Sequence, residues 1–379
     1  MKSTKLWLGA CAMLAFGSVL TSCSDDDEPT WDETGSVVDL PNDRMFILNA
    51  GSFGANNSNI SLYDYNSDKV IDNLFFKQNA QMLGDTGQDM IEYDDHIYVA
   101  VYGSNYIAKL NAAGVEEARV SFVSDPELQG GVRYIDADDG YLYASFHGGV
   151  VAKINVKSMT LEKKITDLGA NLEGVAIEGG KLYVANSYSQ AKDPDTGKNV
   201  YTYYDEMFVI DLKSFSLSST LTVATNPNDV LEEDDKVFVI GWGNYKEIGY
   251  QFQMIDPSQN NKVTTIATAT NMAAGNDIVY LINSETDWST YTTTNTFSYY
   301  DIKAGKLVES SFLKNAPDEI LSTSIYMMAV DDETGDIYLG TSDYTTNGEM
   351  YRFKRDGSFV TKFDAGGINP CKAVFLDKH

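Results

Sequence analysis

Apolar residues in this chain gather into short runs, and no long segment carries them at the 3.6-residue spacing of a helix. One kind of run returns seven times: an apolar strand with an aromatic at its second position, usually behind an acidic or glycine-rich turn. The copies read Met45-Phe46-Ile47, Ile97-Tyr98-Val99, Leu142-Tyr143-Ala144, Leu182-Tyr183-Val184, Val237-Phe238-Val239, Val279-Tyr280-Leu281 and Ile337-Tyr338-Leu339. Their aromatics are 52, 45, 40, 55, 42 and 58 residues apart. Short strands repeating every 40–50 residues or so mark the blades of a β-propeller. A single four-stranded blade cannot cover both of its faces, so the copies must stack around an axis. The expected fold is all-β, a seven-bladed β-propeller.

Six of the seven copies follow another strand across a turn such as Asp139-Gly140 or Gly179-Gly180. Those preceding strands contain Gln88-Asp89-Met90, Arg133-Tyr134-Ile135, Glu173-Gly174-Val175, Asn228-Asp229-Val230, Thr270-Asn271-Met272 and Tyr326-Met327-Met328. Phe46 lacks such a partner, and the chain's end supplies one in Lys372-Ala373-Val374-Phe375-Leu376. The C-terminal strand is therefore expected to join blade one, closing the ring and hiding the edges of an open array. Aligned, these inner strands present a polar column of Lys372, Gln88, Arg133, Glu173, Asn228, Thr270 and Tyr326. Two residues on, the column is apolar: Val374, Met90, Ile135, Val175, Val230, Met272 and Met328. Simple alternation puts both columns on one side of the strand, predicting an apolar axis that opens into a polar mouth.

The N-terminus changes the domain picture. Lys2 and Lys5 precede an apolar stretch from Leu6 to Leu20, too short to span a membrane comfortably. Leu20-Thr21-Ser22-Cys23 follows, and it resembles the bacterial lipobox, in which the cysteine is acylated. The expected organisation is a lipoprotein signal peptide over 1–22, a lipidated Cys23 with an acidic tether over 23–42, and the propeller over 43–379. Ser24-Asp25-Asp26-Asp27-Glu28-Pro29 is charged and poor in apolar residues, which suits a solvated tether. The run also resembles the acidic signal that exports lipoproteins of gut-dwelling Gram-negative anaerobes to the outer face of the outer membrane. With Cys11 in the signal and Cys23 lipidated, only Cys371 remains, so no internal disulfide is expected. A formal charge of −27 repels nucleic-acid phosphates and excludes binding by counterion release.

Catalytic motifs are missing from the sequence. It has three histidines, no Gly-x-Ser-x-Gly elbow, no His-Glu-x-x-His helix, no Cys-x-x-Cys pair and no phosphate loop. With 55 carboxylates, no glycosidase pair stands out. Asp193-Pro194-Asp195-Thr196-Gly197 has a faint look of a calcium loop and reads better as a turn; no metal or cofactor is expected. The loops after the aromatic-centred strands carry more. Each combines an aromatic with Gly, Ser, Asn or Asp, and in a propeller they ring the mouth at which the polar column opens. Flat rings beside adaptable hydrogen-bonding groups make a binding platform. The candidate ligand-binding residues are Tyr102, Arg133, Phe146, His147, Glu173, Tyr188, Asn228, Trp242, Tyr245, Trp288, Tyr344 and Lys372.

Tyr183-Val184-Ala185-Asn186, with looser copies at Ile97-Tyr98-Val99-Ala100 and Phe46-Ile47-Leu48-Asn49, resembles the namesake strand of the YVTN-type, YncE-like propellers. Taken with the lipobox and the acidic run, the chain resembles surface-exposed cobalamin-binding lipoproteins that cap outer-membrane vitamin B12 transporters. That resemblance implies a non-enzymatic protein, lipid-anchored at the cell surface. It would capture a corrinoid on one propeller face and pass it to a TonB-dependent channel. Two other readings stay open: an extracytoplasmic hydrolase or lyase acting on glycans or lactones, and a propeller that docks a peptide or protein.

Overall fold

A computed structural model describes residues 31–287, 289–290 and 292–376. Cys23, the acidic run and Trp288 lie outside the described residues. Within them the chain forms seven four-stranded antiparallel sheets, and six of these are made of consecutive strands. The seventh, blade one, is completed from the far end of the chain. Its inner strand is Pro370–Leu376, paired antiparallel to Arg44–Asn49 with Phe46 opposite Val374. The ring closes as the sequence pattern required.

In every blade the aromatic-centred segment is the second strand from the axis, and its aromatic is buried. These strands are buried on both faces: Arg44–Asn49 and Ile337–Thr341 have no exposed residue. A strand covered on both sides needs a continuous apolar run, which is why the repeat reads as a block and not as an alternation. Outer strands behave otherwise, Ser216–Thr222 being exposed along nearly its whole length.

The core is not one mass but seven apolar clusters, each wedged between two neighbouring blades. The cluster of Met45, Ile47, Tyr63, Met327, Tyr338 and Met350 joins blade one to blade seven. Polar contacts also link neighbours: the Tyr183 hydroxyl in blade four donates to Asn261 of blade five at 2.7 Å. Fully burying each such ring contributes about 1.5–3 kcal/mol, so closure lets every blade bury both faces.

Two expectations are corrected. The polar and apolar columns of the inner strands are not related by plain alternation. In six of the seven blades a register shift falls at the polar column, between Gly87 and Asp89, Val132 and Ile135, Leu172 and Val175, Pro227 and Asp229, Ile325 and Met327, and at Cys371. A β-bulge there re-aims the side chain. Register also moves blade one by a residue. Lys372 lies opposite Leu48, as Asp89 lies opposite Ala100 and Asp229 opposite Ile240. Cys371 therefore occupies the column beside Gln88, and Lys372 falls into the next one, with Asp89 and Asp229.

Residues 31–42, read as the end of a solvated tether, lie along blades one and two. The side chains of Trp31, Val38 and Leu40 pack on the apolar cluster between those blades. Val37 N–H donates to Gln78 Oε1 at 2.9 Å, Asn111 Nδ2 donates to the Thr34 carbonyl at 2.9 Å, and Glu33 pairs with the buried Arg44 at 2.8 Å.

Candidate functional site

Loop and inner-strand residues from opposite ends of the sequence meet at one end of the axis. A cavity of about 530 Å³ is lined there by Gln88, Arg133, Tyr134, Asp229, Thr270, Tyr326, Cys371 and Lys372 from the inner strands, and by Tyr102 and Trp242 from the loops. Two side clefts adjoin it. One of about 410 Å³ shares Arg133 and Trp242 and is walled by His147, Glu173, Tyr188, Tyr201, Tyr203, Asn226, Asn228 and Tyr245. The other, about 220 Å³, shares Trp242, Thr270 and Asn271 and is rich in hydroxyls: Ser284, Thr286, Thr293 and Ser324.

A charged network stiffens the wall between the cavity and the larger cleft. Glu173 is 2% exposed and accepts hydrogen bonds from Arg133 Nε at 2.7 Å and from His147 Nε2 at 2.8 Å; Arg133 Nη2 lies 2.7 Å from the same carboxylate. Arg133 Nη1 donates to Gln88 Oε1 at 2.6 Å, linking blades two, three and four. Burial opposes charge on Glu173, but Arg133 and His147 outweigh it and hold the carboxyl below the usual range. Burial likewise opposes charge on Arg133, and Glu173 overrides it, keeping the guanidinium protonated. The ring of Tyr102 lies under that guanidinium at 5.0 Å. Gly131 makes this approach possible: its φ is +93°, and a Cβ there would sit 2.6 Å from the Tyr102 ring.

Across the cavity, Lys372 Nζ reaches Asp89 at 3.1 Å. Among the described residues, no cation stands as close to Asp229. Burial raises its pKa to about 6, against the opposing pull of Lys372.

Above the cavity the loop aromatics form an arc across five blades. Phe53 stands 6.3 Å from Tyr102, Tyr102 is 5.6 Å from His147, and His147 is 6.4 Å from Tyr188, centroid to centroid. Tyr188 then meets Tyr201 at 6.0 Å and Tyr203 at 6.4 Å, and Tyr203 meets Tyr245 at 5.9 Å. Blade four supplies the centre of the arc because its middle hairpin, Lys181–Lys192 with Asn199–Asp211, outgrows the blade. The tip is tied by Asp193, whose Oδ1 accepts from the N–H groups of Asp195 at 3.0 Å and Thr196 at 2.7 Å. The segment that faintly resembled a calcium loop is this turn.

Of the residues singled out from sequence, Tyr102, Arg133, His147, Glu173, Tyr188, Asn228, Trp242, Tyr245 and Lys372 line the cavity or the larger cleft. Phe146 does not. It is 0% exposed and packs edge-on against Phe122 at 4.9 Å in the core between blades two and three, so it cannot meet a ligand. Its position as the last residue of a doubly buried strand turns it inward. Tyr344 lies 58% exposed beside Tyr326 at 5.8 Å, at the rim and outside the cavity lining. Trp288 lies outside the described residues. Sequence reasoning passed over Tyr201, Tyr203, Asn226 and Asp229. The i, i+2 spacing of Tyr201 and Tyr203 places both rings on one face of a strand and was a usable signal. Asp229 was visible as the neighbour of Asn228, but only the bulge shows that it faces the cavity.

Among solved structures, the chain is similar to a quinonprotein alcohol dehydrogenase-like protein from Bacteroides thetaiotaomicron. The TM-score is 0.63 at 13% identity, covering 89% of this chain and 78% of that one. It is also similar to U3-55K, with a TM-score of 0.50 at 12% identity over 73% of this chain and 81% of that one. At such identities the likeness is one of fold. No curated protein matches the sequence. A family model described as a domain of unknown function, DUF5074, matches residues 43–353, and the chain belongs to that family.

Proposed function

We propose that this propeller is a non-enzymatic surface receptor that captures a broad small molecule on the face ringed by the aromatic arc, a corrinoid being the class that suits it best. The observation that carries this reading is the arc itself, set over an axial cavity of mixed polar and apolar lining with two adjoining clefts. A corrinoid is a wide disc with apolar faces and an edge of neutral amides. Rings that stack or meet edge-on suit the faces, and Asn, Gln, Thr and Tyr groups around the cavity suit the edge. The Arg133–Glu173 pair cancels its own charge, leaving a wall that favours a neutral ligand. Acylation of Cys23 would hold the receptor at the outer membrane, and a TonB-dependent transporter is the partner to which it would pass its cargo.

The alternative of an extracytoplasmic hydrolase or lyase draws support from one feature, His147 held by the buried Glu173. The same carboxylate also clamps Arg133, which suits a rigid wall at least as well as a catalytic base.

Calorimetry of the full chain with cyanocobalamin, dicyanocobinamide, haem and oligosaccharides tests the reading. Corrinoid binding that survives chelation and weakens at least tenfold in Trp242→Ala supports it. Turnover of a glycan or lactone, or binding of haem or glycan with no corrinoid binding, overturns it.

A further inference from the structure

The middle hairpin of blade six carries short polar side chains along one face. Its strands Ile278–Asp287 and Thr292–Asp301 set Ser284 opposite Asn295 and Thr286 opposite Thr293. Side chains two apart on a strand share a face, so these four form one strip. The strip is tied internally: Ser284 Oγ donates to Asn295 Oδ1 at 2.6 Å, and the Thr286 and Thr293 hydroxyls lie 3.1 Å apart. It is also tied to the approach to blade seven, where Asn295 Nδ2 donates to the carbonyls of Ile320 at 2.8 Å and Thr323 at 2.7 Å. Those bonds fix the hydroxyls before any ligand arrives, which lowers the cost of binding one.

Ser284, Thr286 and Thr293 line the cleft of about 220 Å³ beside the axial cavity, together with the rings of Trp242 and Tyr250 from blade five. Polar groups of this cleft are open to a ligand. Tyr250 Oη, Ser324 Oγ and Asn271 Nδ2 have no hydrogen-bond partner among the described residues, and none is sealed as the indole nitrogen of Trp242 is. One proton joins the Thr286 and Thr293 hydroxyls, so the pair keeps a second O–H and spare lone pairs. Among the described residues, no charged side chain lines the cleft. Its volume falls below the roughly 300–1,000 Å³ that encloses a whole drug-sized ligand. It shares Trp242, Thr270, Asn271 and Ile325 with the axial cavity, so it suits one arm of a ligand seated there.

We propose that this cleft is a subsite for a neutral sugar ring carried as an arm of the captured ligand, an inference that rests on the capture reading above. Sugar hydroxyls both donate and accept, which matches a wall that mixes hydroxyls with an amide. The C–H face of a sugar suits the Trp242 and Tyr250 rings. A phosphate or carboxylate would find no cation in the cleft, and an ammonium would find no carboxylate. An apolar arm would displace water from Tyr250, Ser324 and Asn271 and leave them unpaired. In a corrinoid the matching group is the ribose of the nucleotide loop, so the cleft should select corrinoids that carry that loop.

The test is calorimetry on the full chain in detergent with cyanocobalamin, which has the loop, and dicyanocobinamide, which lacks it. Cyanocobalamin is expected to bind about tenfold or more tighter. The loop also brings a phosphate and a benzimidazole, so both ligands are measured again in Thr286→Val/Thr293→Val and in Tyr250→Phe, which remove hydroxyls and keep shape. Each variant is expected to weaken cyanocobalamin about three- to tenfold and to leave dicyanocobinamide unchanged. Thermal melts check that both variants fold, and Tyr250→Phe carries the test alone if the double variant does not. Equal affinity for the two corrinoids, or variants that weaken both or neither, overturn the subsite and leave corrinoid capture standing. If neither corrinoid binds, saturation-transfer NMR with methyl α-ribofuranoside and neutral oligosaccharides decides. Sugar binding that is lost in the hydroxyl variants keeps the subsite and overturns the corrinoid; no sugar binding overturns both.

Discussion

Replacing Glu173 by Gln tests the network on which the site is built. The substitution keeps shape and removes charge. In the native protein the 2% exposed carboxylate is met by two nitrogens of Arg133 and one of His147, all between 2.7 and 2.8 Å. Gln leaves Arg133 without its counter-ion and points an N–H₂ at other donors. Removing one member of a buried ion pair costs about 3–5 kcal/mol. With an unfolding entropy of about 2.1 cal/mol/K per residue, a ring of roughly 340 residues loses about 0.7 kcal/mol per degree. The expected fall in Tm is therefore about 4–7 °C, read by calorimetry or near-UV circular dichroism. Adding Arg133→Met, which removes both charges, should restore most of the loss. The pH dependence gives a second check. A carboxyl held below its usual value stabilises the fold above about pH 4.5 and loses that contribution as pH falls through the folded-state value. The wild-type advantage over Glu173→Gln is thus full at pH 7 and closes under acid. A double variant as unstable as the summed singles, or a gap that does not shrink as pH falls below 4.5, would refute this account.

Asp229 carries the opposite sign. With its pKa raised to about 6, its stabilising contribution is complete below the ordinary Asp value and disappears as pH rises to 6 and beyond; Asp229→Asn should flatten the fall in Tm between pH 4 and 7, and an unchanged slope would count against it. Deleting residues 370–379 removes the buried Val374 and Leu376, about 1.5–3 kcal/mol each, and bares the inner edge of Arg44–Asn49, so cooperative unfolding and monodispersity should both be lost. An intact Tm would contradict closure by this strand. Tyr188→Ala and Tyr203→Ala should each weaken corrinoid binding about three- to tenfold, in line with roughly 0.5–1.5 kcal/mol per aromatic contact, with Tm nearly unchanged in thermal melts. Gly131→Ala should weaken binding indirectly by displacing Tyr102, and should also lower Tm, because a side chain at φ +93° is strained.

Much of the site was legible before any coordinates because a propeller turns sequence period into angular position. Once Tyr98, Tyr143 and Tyr183 are recognised as equivalent, so are the loops that follow them, and Tyr102, His147 and Tyr188 fall on one rim. Phe146 was misplaced because one residue decides whether an aromatic at a strand's end packs inward or enters the loop, and the loops differ in length. Lys372 was set one position off because a bulged residue is invisible to alignment by type: Cys371 is the extra residue, yet Lys372 resembles its polar neighbours better.

The sequence by itself determined the number of blades, the burial of their second strands and the closure by the last strand. Each of these follows from apolar runs long enough to need cover on both faces. Only the tertiary structure decided which polar groups meet. The pairing of Arg133 with Glu173 and His147, the arc from Phe53 to Tyr245, and the hydroxyl wall of Ser284, Thr286 and Thr293 depend on bulges and loop lengths. Those displace a side chain by a few ångströms, which matters little to hydrophobic burial and decides whether a hydrogen bond exists at all.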